Sequence, residues 1–356
     1  MKSIEAAEAV RTSEVRELAR GEEQEWDAFV EASTYGTFFH LSGWKAVIEN
    51  VLGHRSHFLA ARDERQRIHG VLPASLVRSR IFGNCLVSLP LAVYGGVCAD
   101  REDAFRALLR AADEAGRKAR VKYVELRNLA EPYPCDLPGR DLYVTFTKDL
   151  SPGPDQLMKG LPRDTRYAIR KSMKSGLEWV KDLDVADFYP IFAQNVHRLG
   201  TPVFGRRLFV RLREEFGERC RISGVSKGGR LIAAVLSFYF RDQVLPYYAG
   251  ALPEYFADAP NNFMYWKLIC QSHDEGYRQF DFGRSKRGTG SFEFKYSWSM
   301  DVTPLPYRYQ LIRAKEVPRL SPVDGKFRAA TDLWKRMPLG LATAVGPHVI
   351  RLIPSI

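Results

Sequence analysis

The feature that most constrains this chain is that it repeats itself. Residues 58–77, FLAARDERQRIHGVLPASLV, match residues 221–240, RISGVSKGGRLIAAVLSFYF. Each is a pair of apolar runs around a polar turn, at Asp63–Arg67 and at Lys227–Arg230. β-Branched and aromatic runs joined by a short polar connection are the pattern of a hairpin. VSLPLAVYGGV (87–97) parallels QVLPYYAGAL (243–252), a strand leading to Tyr and small residues. LLRAADEAGRKARVKYVELRN (108–128) parallels KLICQSHDEGYRQFDFGRS (267–285). Both predict an amphipathic helix stopped by a glycine, Gly116 or Gly276, then a short buried strand. That strand ends in an acid and an arginine, Glu125/Arg127 and Asp281/Arg284. Upstream, SGWKAVIENVLGHRSHFL (42–59) parallels RRLFVRLREEFGERCRI (206–222). The matches keep their order at an offset of about 155–163 residues. Two copies of one unit follow: helices, a hairpin, a third strand, a helix and a fourth strand. Hairpins mixed with β-α-β steps imply an α/β fold with mixed sheets.

A length of 356 residues suits two such domains. The chain divides into 1–150, a linker with a basic helix at 151–182, a second unit at 183–311 and a basic tail at 312–356. A composition 45% hydrophobic and 27% charged excludes a disordered or collagen-like chain. The net charge of +11 implies an anionic partner. Cys85, Cys98, Cys135, Cys220 and Cys270 are widely spaced and read as reduced core cysteines. His54 and His57 are the only close histidine pair; no ligand pattern accompanies them, and no metal is expected. The acidic N-terminus lacks an apolar signal region and no run reaches spanning length, so the expected location is the cytoplasm.

In the linker, Arg163, Arg166, Arg170 and Lys174 fall at helical spacing on one face, beside an apolar edge of Ile169 and Met173. Arginine binds phosphate bidentately, so this stripe is a candidate anion platform as well as an ordinary solvated face. In the tail, Phe327, Ala330, Trp334 and Met337 share a helix face that Pro338 ends. That face either packs on the body or, with Lys335 and Arg336, rests on an anionic membrane surface.

Three stretches, 161–179, 259–298 and 333–353, carry a resemblance that extends over nearly the whole chain. The sequence resembles the Fem family of peptidoglycan-bridge aminoacyltransferases, with a tandem duplicated GNAT-like acyltransferase fold. It looks most similar to the FemAB-like relatives associated with exosortase/PEP-CTERM surface-polysaccharide systems. The resemblance implies transfer of an activated acyl group to an amine of a nucleotide- or lipid-linked sugar acceptor; the alternatives are an acyl-CoA-dependent N-acetyltransferase of the same fold and a non-catalytic binding scaffold in a surface-polysaccharide system. The donor would be a co-substrate, aminoacyl-tRNA or acyl-CoA, with no tightly bound cofactor. Partners implied are that acceptor, tRNA and the inner face of the membrane.

Acyl transfer requires a nucleophile, stabilisation of the tetrahedral oxyanion and an anchor for the donor. The sequence has no G-x-S-x-G elbow and no Ser-His-Asp or Cys-His pattern, so direct attack by the acceptor amine is expected. Lys295, within the alternating aromatics of SFEFKYSW, is predicted to project from a strand. By resemblance it matches the lysine that faces the donor ester; as a bare pattern it also fits a solvated strand lysine. Asp281, Arg284, Ser285 and Lys286 precede a glycine-rich loop and form a candidate phosphate-binding turn or a plain inter-strand turn. Asn261 is expected to cap a helix beginning near Phe263. Tyr94, Tyr247 and Tyr248 either line the cleft or pack. No R/Q-x-x-G-x-G/A loop precedes either main helix, which speaks against acetyl-CoA.

Overall fold

A computed structural model describes residues 13–318 and 325–354, and side chains at 325–329 fall outside that description. The first sheet begins with β1 (Glu14–Glu17), β2 (Arg55–Arg62) and β3 (Ile68–Val77). It continues with β4 (Cys85–Val87), β5 (Cys98–Ala99), β6 (Tyr123–Arg127) and β7 (Gly139–Arg140). Helices α1 (Glu23–Ala32), α2 (Gly43–Val47) and α3 (Glu102–Lys118) flank it. The chain continues with β8 (Tyr143–Asp149), α4 (Pro154–Gly160), α5 (Arg163–Met173), β9 (Leu177–Val180), α6 (Val185–Leu199) and α7 (Arg206–Phe216). Then come β10 (Cys220–Lys227), β11 (Arg230–Phe240), β12 (Gln243–Ala251), α8 (Pro260–Asp274) and β13 (Gln279–Asp281). The chain continues through β14 (Ser285–Lys286), α9 (Gly290–Tyr296), β15 (Asp301–Pro304) and β16 (Tyr307–Leu311) to α10 (Gly325–Arg336) and α11 (Leu339–Ile350).

The architecture is the expected duplicated mixed α/β fold. The predicted hairpins are β2–β3 and β10–β11, both antiparallel with a register shift near the turn. In each unit one pair is parallel, β4 with β6 and β12 with β13, as a β-α-β step requires. The sheet orders are β1-β2-β3-β4-β6-β16-β7, with β5 on β3, and β14-β8-β13-β12-β11-β10-β9, with β15 on β8.

These orders contain a reciprocal exchange. β8 follows the first unit but pairs antiparallel with β13 of the second sheet, and β16 follows the second unit but pairs with β6 of the first. Each unit thus covers the edge that the other's parallel pair would leave open, satisfying its backbone groups. The sequence boundaries at 150 and 311 therefore do not follow sheet membership. The 151–182 segment is no detached linker either: β9 pairs with β10, and Ile169 of α5 is fully buried.

The units share one core. Phe38 and Trp44 of the first pack on Phe216 and Phe238 of the second, with Phe38 and Phe238 stacked at 4.3 Å. Helices α2 and α7, which the repeat equates, lie against one another. The cysteines are all free, and Cys85, Cys98 and Cys220 are buried.

Several local expectations need correction. Gly116 lies inside α3, which runs on to Lys118, because Arg120 supplies the left-handed residue instead. α8 starts at Pro260, whose fixed φ suits a first helical position, behind a left-handed Ala259; Asn261 makes no capping bond. After β4 the first copy is irregular, with Leu89 and Leu91 at positive φ, where the second copy keeps a strand to Ala251. In the tail, Trp334 is buried and its carbonyl accepts from His197 Nε2 of α6, so that face packs on the body. The Phe327 side chain lies outside the described residues. No described helix is long and apolar enough to cross a membrane.

Candidate active site

The site is assembled where β13 leaves the sheet. β12 and β13 pair only at Gln243–Val244 with Gln279–Phe280, after which the two strands separate. The last residue of β13, Asp281, is 3% exposed and accepts three hydrogen bonds. Thr145 Oγ1 of β8 donates at 2.9 Å, the Gly283 amide at 2.7 Å and Tyr94 Oη at 3.0 Å. Gly283 adopts φ +68°, a left-handed conformation that turns the chain back sharply. Burial raises the Asp281 pKa despite the opposing hydrogen bonds and the nearby Lys295 cation.

That turn seats Lys295. Its Nζ donates to the carbonyls of Gly283 and Arg284, each at 3.0 Å. Lys295 lies on helix α9, not on the predicted strand. Thr289 caps the helix, its Oγ1 accepting from the Phe292 amide. The alternating aromatics become helical i,i+4 pairs: Phe292 stacks on Tyr296, and Phe294 meets Trp298. Desolvation is the main cause of a Lys295 pKa lowered to about 7; Asp281 opposes it and Arg284 adds to it. The lysine therefore gives up its proton far more readily than a solvated one.

Arg284 lies with its guanidinium 4.5 Å from the Tyr143 ring centroid, and its Nη1 donates to Tyr307 Oη at 3.4 Å. Burial alone would lower its pKa, but the surrounding tyrosines win and raise it, so its charge is secure. Ser285 is buried with its hydroxyl 3.0 Å from that of Ser291, while Lys286 pairs through β14 with Tyr143. Asp281, Arg284, Ser285, Lys286 and Lys295 thus form one cluster.

The remaining candidates lie elsewhere. Arg163, Arg166 and Arg170 are on α5, whose Thr165 hydroxyl donates at 2.6 Å to the Ser297 carbonyl just past α9. The basic helix therefore abuts the helix that carries Lys295. Arg163 and Arg170 are exposed, and Arg166 donates to the Lys159 carbonyl at 2.8 Å. Among the described residues no carboxylate forms an ion pair with any of the three. Asn261 is half-buried in the first turn of α8. Tyr248 packs in the core against Phe192, Phe204 and Phe209. An open cavity of about 820 Å³ lies away from this cluster, between α1, α2 and the end of α7.

Sequence reasoning left the tyrosines of the cluster without assigned roles. Tyr94 and Tyr143 come from the loop after β4 and from β8, remote in sequence from Asp281, and Tyr307 comes from β16, a strand of the other sheet. Only Tyr94 carried a signal, the small residues that follow it as they follow Tyr248.

The repeat-equivalent position in the first unit is closed. Arg127 is fully buried; its Nε bonds Glu125, its Nη1 reaches the Leu89 and Ala92 carbonyls, and its Nη2 donates to the Pro354 carbonyl at 2.7 Å.

Residues 162–296 match the model of the acetyltransferase (GNAT) domain. The match runs from the start of α5 to the end of α9; of the residues around the cluster, Tyr94, Tyr143, Thr145 and Tyr307 lie outside it. No curated protein matches the chain in sequence. Its fold is similar to that of FemX, at 13% identity over 84% of this chain and 98% of that one, with a TM-score of 0.65. It is also similar to a tandem GNAT protein from the clavulanic acid biosynthesis pathway, at 12% identity over 85% and 100%, TM-score 0.53. L-PGS from Bacillus licheniformis aligns at 13% identity over 90% and 100%, TM-score 0.50. The fold is thus a tandem GNAT-like one, and with an acetyltransferase domain around the Lys295 cluster the chain is an acyltransferase.

Proposed function

We propose that this acyltransferase is Fem-like and forms an amide on an amine of a cell-envelope or exopolysaccharide precursor, by direct attack on an activated acyl donor. The observation that carries the reading is the partly desolvated Lys295 ammonium, fixed by two carbonyls beside a buried carboxylate and a fixed guanidinium. The acceptor amine attacks the acyl carbon, the C–N bond forms, and the bond from that carbon to the donor oxygen or sulfur breaks. Negative charge collects on the acyl oxygen and then on the leaving atom. A poorly solvated cation stabilises it far more than one in water. With a pKa of about 7, Lys295 can also give the leaving atom its proton. The amine's own proton is released to solvent, from which Lys295 is reprotonated.

Arg163, Arg166 and Arg170 supply the anion platform beside α9, suited to the phosphates of a tRNA or of a nucleotide-linked sugar. Ser285, Lys286, Arg284 and Asn261 remain candidate substrate contacts, whereas Asp281 acts from behind the turn. We favour aminoacyl-tRNA as donor, since the glycine-rich acyl-CoA loop is missing from the sequence and the fold is shared with FemX. The same-fold alternative, acyl-CoA-dependent N-acetylation, is supported by the domain match itself. Contact with the inner face of the membrane would use the exposed Leu333, Leu339 and Leu341 rather than the buried Trp334.

The test is product formation by mass spectrometry from labelled aminoacyl-tRNA or acyl-CoA with nucleotide- and lipid-linked amino sugars. Lys295→Ala is expected to lower turnover by about 100-fold or more. Turnover untouched by Lys295→Ala would overturn the site, and turnover from acyl-CoA alone would overturn the donor.

A further inference from the structure

We propose that Tyr94, contributed by the first unit, is a positioning residue for the second unit's site, holding Asp281 so that the turn Phe282–Arg284 presents the carbonyls that seat Lys295. The proposal rests on the reading of Lys295 given above, and it makes the second unit's chemistry dependent on the first.

The geometry is specific. Tyr94 is 1% exposed and lies in the irregular loop after β4. Its hydroxyl is 3.2 and 3.0 Å from the two Asp281 oxygens and also contacts Thr145 Oγ1. Its ring packs edge-on against Phe39, which fixes its direction. One hydroxyl proton from Tyr94 and one from Thr145 then serve the carboxylate together with the Gly283 amide. A buried carboxylate without such donors would protonate or move toward water. Asp281 controls the turn directly, because the Gly283 amide that it accepts belongs to the residue whose carbonyl receives Lys295 Nζ. The chain of contacts is therefore Tyr94 to Asp281, Asp281 to the turn, and the turn to the ammonium.

The charged and titratable groups facing this chain are few. Asp281 and Arg284 act on Lys295, and Tyr94, Thr145 and Lys295 act on Asp281. Arg284 in turn faces Tyr143, Tyr247 and Tyr307. Removal of the Tyr94 hydroxyl weakens the ionised form of Asp281. Lys295 then loses part of the negative charge of Asp281 that opposes its desolvation, so its proton leaves at lower pH.

The experiment is competitive labelling of Lys295 by acetic anhydride across pH 5–10, read by peptide mass spectrometry, in parallel with turnover. Tyr94→Phe is expected to move the Lys295 midpoint down by about half a unit to one unit. Thr145→Val, which removes another donor to the same carboxylate, is expected to shift it in the same direction. Arg219→Gln is the structural control: it breaks a different bond between the units, the ion pair with Glu31, and Arg219 acts on none of Asp281, Arg284 and Lys295. Its midpoint is expected to stay at the wild-type value. Unshifted midpoints in folded Tyr94→Phe and Thr145→Val, or an equal shift in Arg219→Gln, would overturn the positioning role. Because labelling needs no substrate, a shift in the midpoint with turnover indifferent to Lys295 would uphold the coupling and instead sink the catalytic reading. If Tyr94→Phe does not fold, Thr145→Val and the control still decide the matter.

Discussion

Lys295→Met is expected to stabilise the protein at neutral pH while lowering its turnover, and the pH dependence of that gain measures how desolvated the ammonium is. The ordinary lysine pKa of 10.5 falls to about 7 in the fold. Between these values the unfolded chain holds a proton that the folded chain has lost, so stability rises with pH across the window from about 7 to 10.5. Relative to a neutral amine, the cost of this group is about 4 kcal/mol at pH 7 and about 2 kcal/mol at pH 9. Lys295 keeps some contact with solvent, which screens the charge and roughly halves these figures. Methionine preserves the stem, carries no proton and contributes no such pH dependence. Its lost bonds to the Gly283 and Arg284 carbonyls add a nearly constant offset. The informative quantity is therefore the stability of Lys295→Met minus that of the wild type, from urea unfolding at pH 7, 8 and 9. It is expected to shrink by about 1–2 kcal/mol across that range. A difference that stays flat would mean an ordinary, solvated ammonium, and the argument for a desolvated cation would be refuted.

Two further outcomes are expected. Arg166→Ala and Arg170→Ala together should weaken binding of tRNA or a nucleotide-linked sugar and flatten its dependence on salt, by a log–log slope of about one for each phosphate no longer neutralised; unchanged affinity and slope in a filter-binding assay would remove α5 from the site. Tyr248→Phe should raise the unfolding free energy by about 1 kcal/mol, because the Tyr248 hydroxyl is buried without a partner; a loss of stability in thermal unfolding would mean that the hydroxyl makes a bond in solution.

The duplication was legible because its evidence is local. Hairpins and helix stops are written in neighbouring residues, and Asp281 and Arg284 could be picked out as a strand-end pair for the same reason. Lys295 was misread by a rule that is also local: F-x-F-x-Y has the period of a strand. The deciding signal lay upstream, in Thr289 and the glycines around it, which start a helix and convert the alternation into i,i+4 ring pairs. The exchange of β8 and β16 left no local mark, since each strand is ordinary until the edge it covers is known. Tyr94 and Thr145 were opaque for the same cause. They reach Asp281 across 187 and 136 residues, and nothing near either one specifies that carboxylate.

The two copies also show how a duplicated fold can separate structure from chemistry. Both fourth strands end with an acid and an arginine, yet the environments differ. In the first, Arg127 spends its donors on Glu125 and on carbonyls from the β4 loop and the tail, so the position fastens α11 and its following turn to the body. In the second, the acid and the arginine are held apart: Asp281 takes hydroxyl and amide donors, while Arg284 lies against tyrosine rings. A guanidinium engaged mainly by ring faces keeps N–H groups for a ligand, and a carboxylate engaged by neutral donors has Lys295 as the cation acting on it. The irregular loop after β4 links the two outcomes. It gives up the strand conformation of its counterpart, and from the same stretch it sends the Leu89 and Ala92 carbonyls to Arg127 and the Tyr94 hydroxyl to Asp281. One departure from the repeat thereby closes the first position and braces the second.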